Sequence, residues 1–198
     1  MYKFRAKSKQ CSISTLYFLS MFCALKGTPK GELVHGFQIW INVPSEKKMD
    51  DPSYGTEPSS KIPSLEKEGV VLNVLAGPFK TEGFEAMGPF KTTVNVQMLD
   101  ISIQPDGTFT HILPVEYDNC LIYVFKGSSC QINKAKVSKG NVIRLNATDK
   151  INRMLTFSAG SGSEELRLLL FAGKMLNQPI AWHGPFVMTT QQVPIKQT

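Results

Sequence analysis

The sequence predicts an all-β chain folded as a closed barrel or sandwich. Three observations carry this. Short runs of β-branched and aromatic residues recur at regular spacing. They are separated by Gly, Asn and Asp turns. Gly and Pro, 15 and 12 residues, are spread along the chain instead of clustering in one linker. With 198 residues, 42% of them hydrophobic, the chain can build one domain with a substantial core, and not two full-sized ones.

The predicted strands follow in chain order. FQIWINV, residues 37–43, is aromatic and β-branched, and Pro44 ends it. Residues 51–69 are rich in Pro, Ser and charge and read as an extended surface crossing, because the prolines break any helix. VVLNVLAG, residues 70–77, is the next strand, stopped by Gly77-Pro78. In residues 92–107 the apolar face holds Val94, Val96 and Met98, opposite Thr93, Asn95 and Gln97. It then switches parity to Leu99, Ile101 and Ile103. A β-bulge near Met98-Leu99 accounts for that switch, since one extra residue reverses every later side chain. Pro105-Asp106-Gly107 makes a turn.

Six further strands are expected: THILPV, CLIYVFKG, SCQINKAKV, NVIRLNA, RMLTFSAG and ELRLLLFAG. The nearly all-apolar runs at residues 121–125 and 166–171 should be central. The second is read as a strand and not a helix because it is short and bounded by Gly162 and Gly173.

The net charge of +6 has a local origin. Residues 1–30 hold Lys3, Arg5, Lys7, Lys9, Lys26 and Lys30 and no acidic residue. That leaves 16 basic residues against all 16 acidic ones in residues 31–198. The body of the chain is neutral and has no basic cluster longer than residues 134–139. Direct nucleic-acid binding is therefore not expected.

Residues 1–30 place a basic stretch ahead of an apolar one, CSISTLYFLSMFCAL. The order is that of a secretory leader, but Phe22 is bulky where a cleavage site wants a small residue. The apolar stretch is also short for a membrane span of about 20 residues, and none is expected. The preferred alternative is a buried strand or a non-native leader.

Cys11, Cys23, Cys120 and Cys130 show no zinc-type spacing. Cys120 and Cys130, on strands predicted to be neighbours, are read as small buried thiols of a reducing compartment. His111, Glu116, Tyr117 and Asp118 form a conceivable acid–base cluster, read here as a polar loop between two strands. Trp40 and Trp182 are read as packing residues. No phosphate loop, nucleophile elbow or paired-carboxylate motif occurs.

Two motifs are more specific. HGFQIWINVP, residues 35–44, is followed by a basic-acidic loop and a Pro-x-Tyr, and PIAWHGPFVMTT spans residues 179–190, with Phe171-Ala172-Gly173 before it. The first resembles the inter-barrel region of the pirin family, and the second resembles that family's closing segment, whose hallmark is HGPFVM. The resemblance covers residues 31–190.

It implies a cupin-type double-stranded β-barrel, or jelly roll, the C-terminal barrel of a pirin-like bicupin. The implied layout is a non-matching leader at 1–30 and an inter-barrel strand and crossing at 31–69. The barrel follows at 70–190, then a short tail at 191–198. In the family the first barrel holds iron through three His and one Glu, from His-x-His and His-x-Glu motifs.

This chain has only His35, His111 and His183, and neither motif. The family's metal barrel is read as absent, the chain as a truncated form, and no metal, catalytic or cofactor-binding residue is assigned. Lys174 stands where the family has an acidic residue.

The resemblance implies a non-enzymatic, transcriptional co-regulator-like interaction module of nucleus and cytoplasm. Its partner would be another protein, or a second copy, on the exposed inter-barrel face. The alternative is part of an iron-dependent dioxygenase of the quercetinase type whose metal barrel lies outside this chain. A truncated gene product without independent function is the third reading.

Overall fold

A computed structural model describes residues 16–24, 33–147, 151–162, 164–183 and 186–190. Side chains are described from residue 36 onward, Asn146 excepted. The chain divides into two compact units, residues 51–175 and residues 1–50 together with 176–198.

Residues 51–175 hold two antiparallel sheets. The larger contains β3 (Ser64–Lys67), β4 (Val70–Thr81), β5 (Phe84–Pro89), β6 (Val96–Ile103), β8 (Asn119–Lys126), β11 (Val142–Asn146) and β13 (Leu166–Gly173). Its order is β11-β8-β13-β6-β4-β3, with β5 paired to β4. The smaller runs β10-β9-β12-β7, where β7 is Thr108–Ile112, β9 Cys130–Ile132, β10 Ala135–Val137 and β12 Met154–Ser158.

One core lies between the sheets. Leu72, Val74, Leu99, Ile101, Ile122, Val124, Leu168 and Leu170 of the larger sheet meet Ile132, Leu155 and Phe157 of the smaller. Each alternates along its strand with a residue of the other face, which is the period-2 pattern that specifies register. The two most apolar predicted strands are indeed central: β8 and β13 are neighbours, and β13 pairs with β6 on its far edge. In both, the second face is apolar as well, with Leu121, Leu169 and Phe171 buried.

The structure corrects the sequence reading at several points. β4 does not stop at Gly77-Pro78. It runs on to Thr81 and turns through Glu82-Gly83 into β5, a strand the sequence reading missed. Gly77 has φ +75°, and a Cβ there would sit 1.8 Å from the Val96 carbonyl oxygen. Only glycine lets the strand pass that point. The predicted strand SCQINKAKV is two short strands, β9 and β10, joined at Asn133-Lys134, both with positive φ. Within the predicted crossing at 51–69, residues 64–67 form a strand, β3.

The predicted bulge exists, on the neighbouring strand. β6 is regular against β13, whereas its register with β4 shifts between Val74 and Ala76. Val74 pairs with Leu99 and Ala76 with Met98, so Leu75 is the extra residue. The apolar parity of residues 94–103 switches because both faces of β6 are buried at Val96, Gln97, Met98 and Leu99. The bulge has a further consequence: after it, Phe79 of β4 points into the core.

In the other unit, β1 (Leu16–Ala24) pairs antiparallel with β2 (Leu33–Ile41), and β14 (Ala181–His183) pairs with β15 (Phe186–Met188). Part of the stretch read as a leader is therefore a strand. The rings of Trp40 and Trp182 lie 6.4 Å apart at 38°, and Trp182 is 52% exposed. Lys48 donates to Asn42 Oδ1 at 2.6 Å and to the Val187 carbonyl at 3.1 Å, and burial lowers its pKa. No helix among the described residues is long and apolar enough to cross a membrane.

Candidate functional site

The buried polar groups of residues 51–175 mark where chemistry is possible, because an interior polar group must be satisfied or be used. Two stand out: His111 with Gln97, and Arg153.

His111 lies on β7 and is 4% exposed, and Gln97, on β6, is 1% exposed. Gln97 Nε2 donates to the Pro78 carbonyl at 2.7 Å, and Gln97 Oε1 lies 2.8 Å from His111 Nε2. A carbonyl only accepts, so the amide orientation is fixed, with Oε1 toward the ring. His111 Nε2 must then be the protonated nitrogen, and Nδ1 keeps its lone pair. Among the described residues Nδ1 has no protein hydrogen-bond partner. Burial pushes the imidazole pKa down to about 4, so the ring is neutral at ordinary pH. The Phe79 ring stacks on it at 5.6 Å and 24°, a contact that the β4 bulge makes possible.

These groups border a cavity of about 440 Å³. Pro78, Phe79, Ala86 and Pro114 give it apolar walls, and Met87 and Ile112, 64% and 71% exposed, stand at its mouth. Lys80, Glu85 and Glu116 also line it. Lys80 and Glu85 neutralise one another at 2.6 Å. A neighbouring hollow of about 610 Å³ has Lys91 as its single charged lining residue and no buried polar side chain.

Arg153, 6% exposed, is the opposite case. Nε donates to the Leu113 carbonyl at 3.1 Å, Nη1 to the Ala147 carbonyl, and Nη2 to the carbonyls of Pro114 and Tyr117. The guanidinium pins the loop between β7 and β8.

The cluster imagined from the sequence does not assemble as one site. His111 is on a strand and buried, not in a polar loop. Tyr117 is buried, with burial and the Glu116 charge raising its hydroxyl pKa. Glu116 is at the cavity, while Asp118 accepts from the Met175 amide at 2.7 Å. His183 is exposed, as is Lys174. The side chain of His35 lies outside the described residues, as do Cys11 and the side chain of Cys23. Cys120 and Cys130 are buried free thiols in different sheets, not on adjacent strands. Burial pushes the Cys120 thiol up to about 12, against the opposing pull of Arg153.

Gln97 and Phe79 were missed in the sequence. The signal for Gln97 was its parity with Leu99, Ile101 and Ile103, which makes it a polar residue on the inward face of a strand. An iron site of the implied kind needs about four converging imidazole and carboxylate donors. Among the described residues no three His, Cys, Asp or Glu side chains are grouped to hold a metal, and the polar neighbour of His111 is a carboxamide. The described donor set does not fit such a centre.

Two facing antiparallel sheets around one apolar core, with an apolar-walled pocket beside the buried His111–Gln97 pair, define an all-β protein of the cupin class. The comparisons agree. The chain matches the pirin C-terminal cupin domain over residues 98–198. It is 32% identical over 166 residues to a pirin-like protein of Arabidopsis thaliana, covering 82% of this chain and 58% of that protein. It is 31% identical over 166 residues to Pirin-1 of the same plant, covering 82% and 55%.

Among solved structures, a quercetin 2,3-dioxygenase from Acinetobacter baumannii superimposes with a TM-score of 0.69 at 25% identity. The match covers 80% of this chain and 52% of that one. The chain belongs to the pirin family, and it spans a little over half the length of the relatives it matches.

Proposed function

We propose that this chain works as a non-enzymatic interaction module of the pirin family, co-regulator-like, with no metal centre of its own. The observation that carries the reading is the His111–Gln97 pair. At the barrel's buried polar position, one imidazole spends Nε2 on a carboxamide that is itself held by the Pro78 carbonyl. A single remaining nitrogen with lowered basicity is a poor start for an iron site, which draws on several imidazoles and a carboxylate with their own supporting hydrogen bonds. The partner in this reading is another protein or a second copy, met on the face that joins the two barrels in a pirin-like bicupin. The balanced charge of residues 31–198 argues against direct nucleic-acid binding.

A second reading has one observation in its favour: the similar Acinetobacter baumannii structure is of a quercetin 2,3-dioxygenase. There this chain would be the half without iron, and the chemistry would need a metal barrel outside it.

Metal analysis and oxygen uptake on the purified chain test the proposal that it has no metal centre of its own. After incubation with Fe(II) and desalting, the interaction module retains no stoichiometric iron and consumes no oxygen when quercetin is added. One iron per chain with quercetin-dependent uptake overturns the proposal.

A further inference from the structure

We propose that the cavity at His111 is a binding site for a small uncharged ring compound carrying a hydroxyl group, whose hydrogen is donated to His111 Nδ1. This goes beyond the protein-interaction reading and does not depend on it.

The hydrogen-bond chain fixes what the site asks for. Pro78 O accepts from Gln97, and Gln97 Oε1 accepts from His111, so the imidazole presents an acceptor and nothing else. That acceptor belongs to a side chain 96% buried (4% exposed), with no protein partner among the described residues. Nδ1 itself is not among the fully buried unpartnered atoms, which among the described residues are Asp100 Oδ1 and Arg167 Nε, so it reaches the cavity, where a ligand hydroxyl takes the place of water.

The remainder of the pocket selects against charge. Lys80 is already matched by Glu85 at 2.6 Å, which leaves Glu116 as the unmatched charge and makes the site unfavourable for anions. The walls from Phe79, Ala86, Pro78 and Pro114 are apolar, and the exposed Met87 and Ile112 at the mouth extend that surface outward. A volume of about 440 Å³ is in the range of small-molecule sites and holds one or two rings.

Calorimetric titration of the full 198-residue chain with phenol, cyclohexanol, anisole and benzoate tests this. Phenol or cyclohexanol binds saturably, and the comparison of the two tells whether an aromatic or an aliphatic ring is preferred. Anisole, which cannot donate, binds about tenfold more weakly than phenol, the value of one hydrogen bond, and benzoate more weakly still. His111→Leu abolishes the preference for phenol over anisole. Because that variant alters a buried pair, Ala86→Phe is the second test. It fills the cavity from a partly buried wall without touching the hydrogen-bond chain, and it abolishes phenol binding while the thermal transition stays cooperative. Absence of saturable binding of both phenol and cyclohexanol, equal affinity for phenol and anisole, or unchanged phenol affinity in Ala86→Phe overturns the proposal.

Discussion

His111 and Arg153 are both basic, both almost fully buried, and both tied to backbone carbonyls, Arg153 directly and His111 only through the Gln97 carboxamide, yet they do opposite things. Arg153 spreads its donors over four carbonyls of the loops at residues 113–117 and 147. Its charge organises chain that has no ladder of its own. His111 is held on one side only, through Gln97, and the other ring nitrogen is left as an acceptor beside a cavity. The difference teaches how to tell a structural polar group from a recognising one. Burial alone does not separate them, and neither does residue type. What separates them is whether the protein itself completes the hydrogen-bonding capacity of the group.

The largest effect expected from breaking this comparison is at Arg153. Arg153→Met keeps much of the apolar stem and removes every donor, leaving the carbonyls of Leu113, Pro114, Tyr117 and Ala147 short of a partner at once. The loss should be about 4 kcal/mol, the range for removing one member of a buried charged network. It would be read as a fall in the urea midpoint. A change below about 1 kcal/mol would mean that water replaces the guanidinium and that the loop does not depend on it.

The next effect belongs to His111 and is one of pH. Its pKa is about 4 when folded, against 6.5 as the ordinary value. The folded state therefore binds fewer protons than the unfolded state between these limits, and stability rises with pH across that window. Above pH 6.5 both states are neutral at this residue and the contribution is fully present. It falls away as the pH drops from 6.5 through 4, by about 3 kcal/mol in total. Glu85 and Glu116 line the same cavity and Lys80 pairs with Glu85, so the measurement needs a reference. His111→Gln removes the titration and leaves those groups in place. The difference in denaturation midpoint between the two proteins should change between pH 7 and pH 4.5, and a constant difference would show that the imidazole is not desolvated.

How much of this was legible in the sequence depends on which interaction fixes each feature. The all-β class, the central position of β8 and β13 and the Pro105-Gly107 turn follow from local periodicity and turn chemistry, and they can be read directly. The β4–β5 hairpin was not, because Gly77-Pro78 carries a strong breaking signal. That signal is overridden by the bulge at Leu75 and the close approach of Gly77 to Val96. The bulge was sensed from the parity change in residues 94–103 and assigned to the wrong strand, since a two-sided buried segment and a bulged one leave the same trace in sequence. The site was the least legible part. Gln97 and His111 are fourteen positions apart, and what joins them is the pairing of two different sheets around one core. The parity of Gln97 with Leu99 and Ile101 was visible, but nothing in one sequence says that Phe79 will turn inward beside it.

The smallest effect sharpens the same comparison from its charged edge. Lys80 and Glu85 face one another across the β4–β5 hairpin at 2.6 Å, with side chains 75% and 70% exposed. An ion pair this exposed gains little from Coulomb attraction, because water and salt screen it and two flexible side chains must be ordered to make it. Lys80→Ala should therefore change stability by less than about 0.5 kcal/mol. It would, however, leave Glu85 unmatched beside Glu116 at the cavity, so two carboxylates would stand where one unmatched carboxylate stood. Binding of benzoate should weaken relative to phenol, and the ratio should recover in high salt. If the ratio does not move, the carboxylates lie too far into solvent to sense the cavity. Selection there would then rest on the apolar walls and His111 alone.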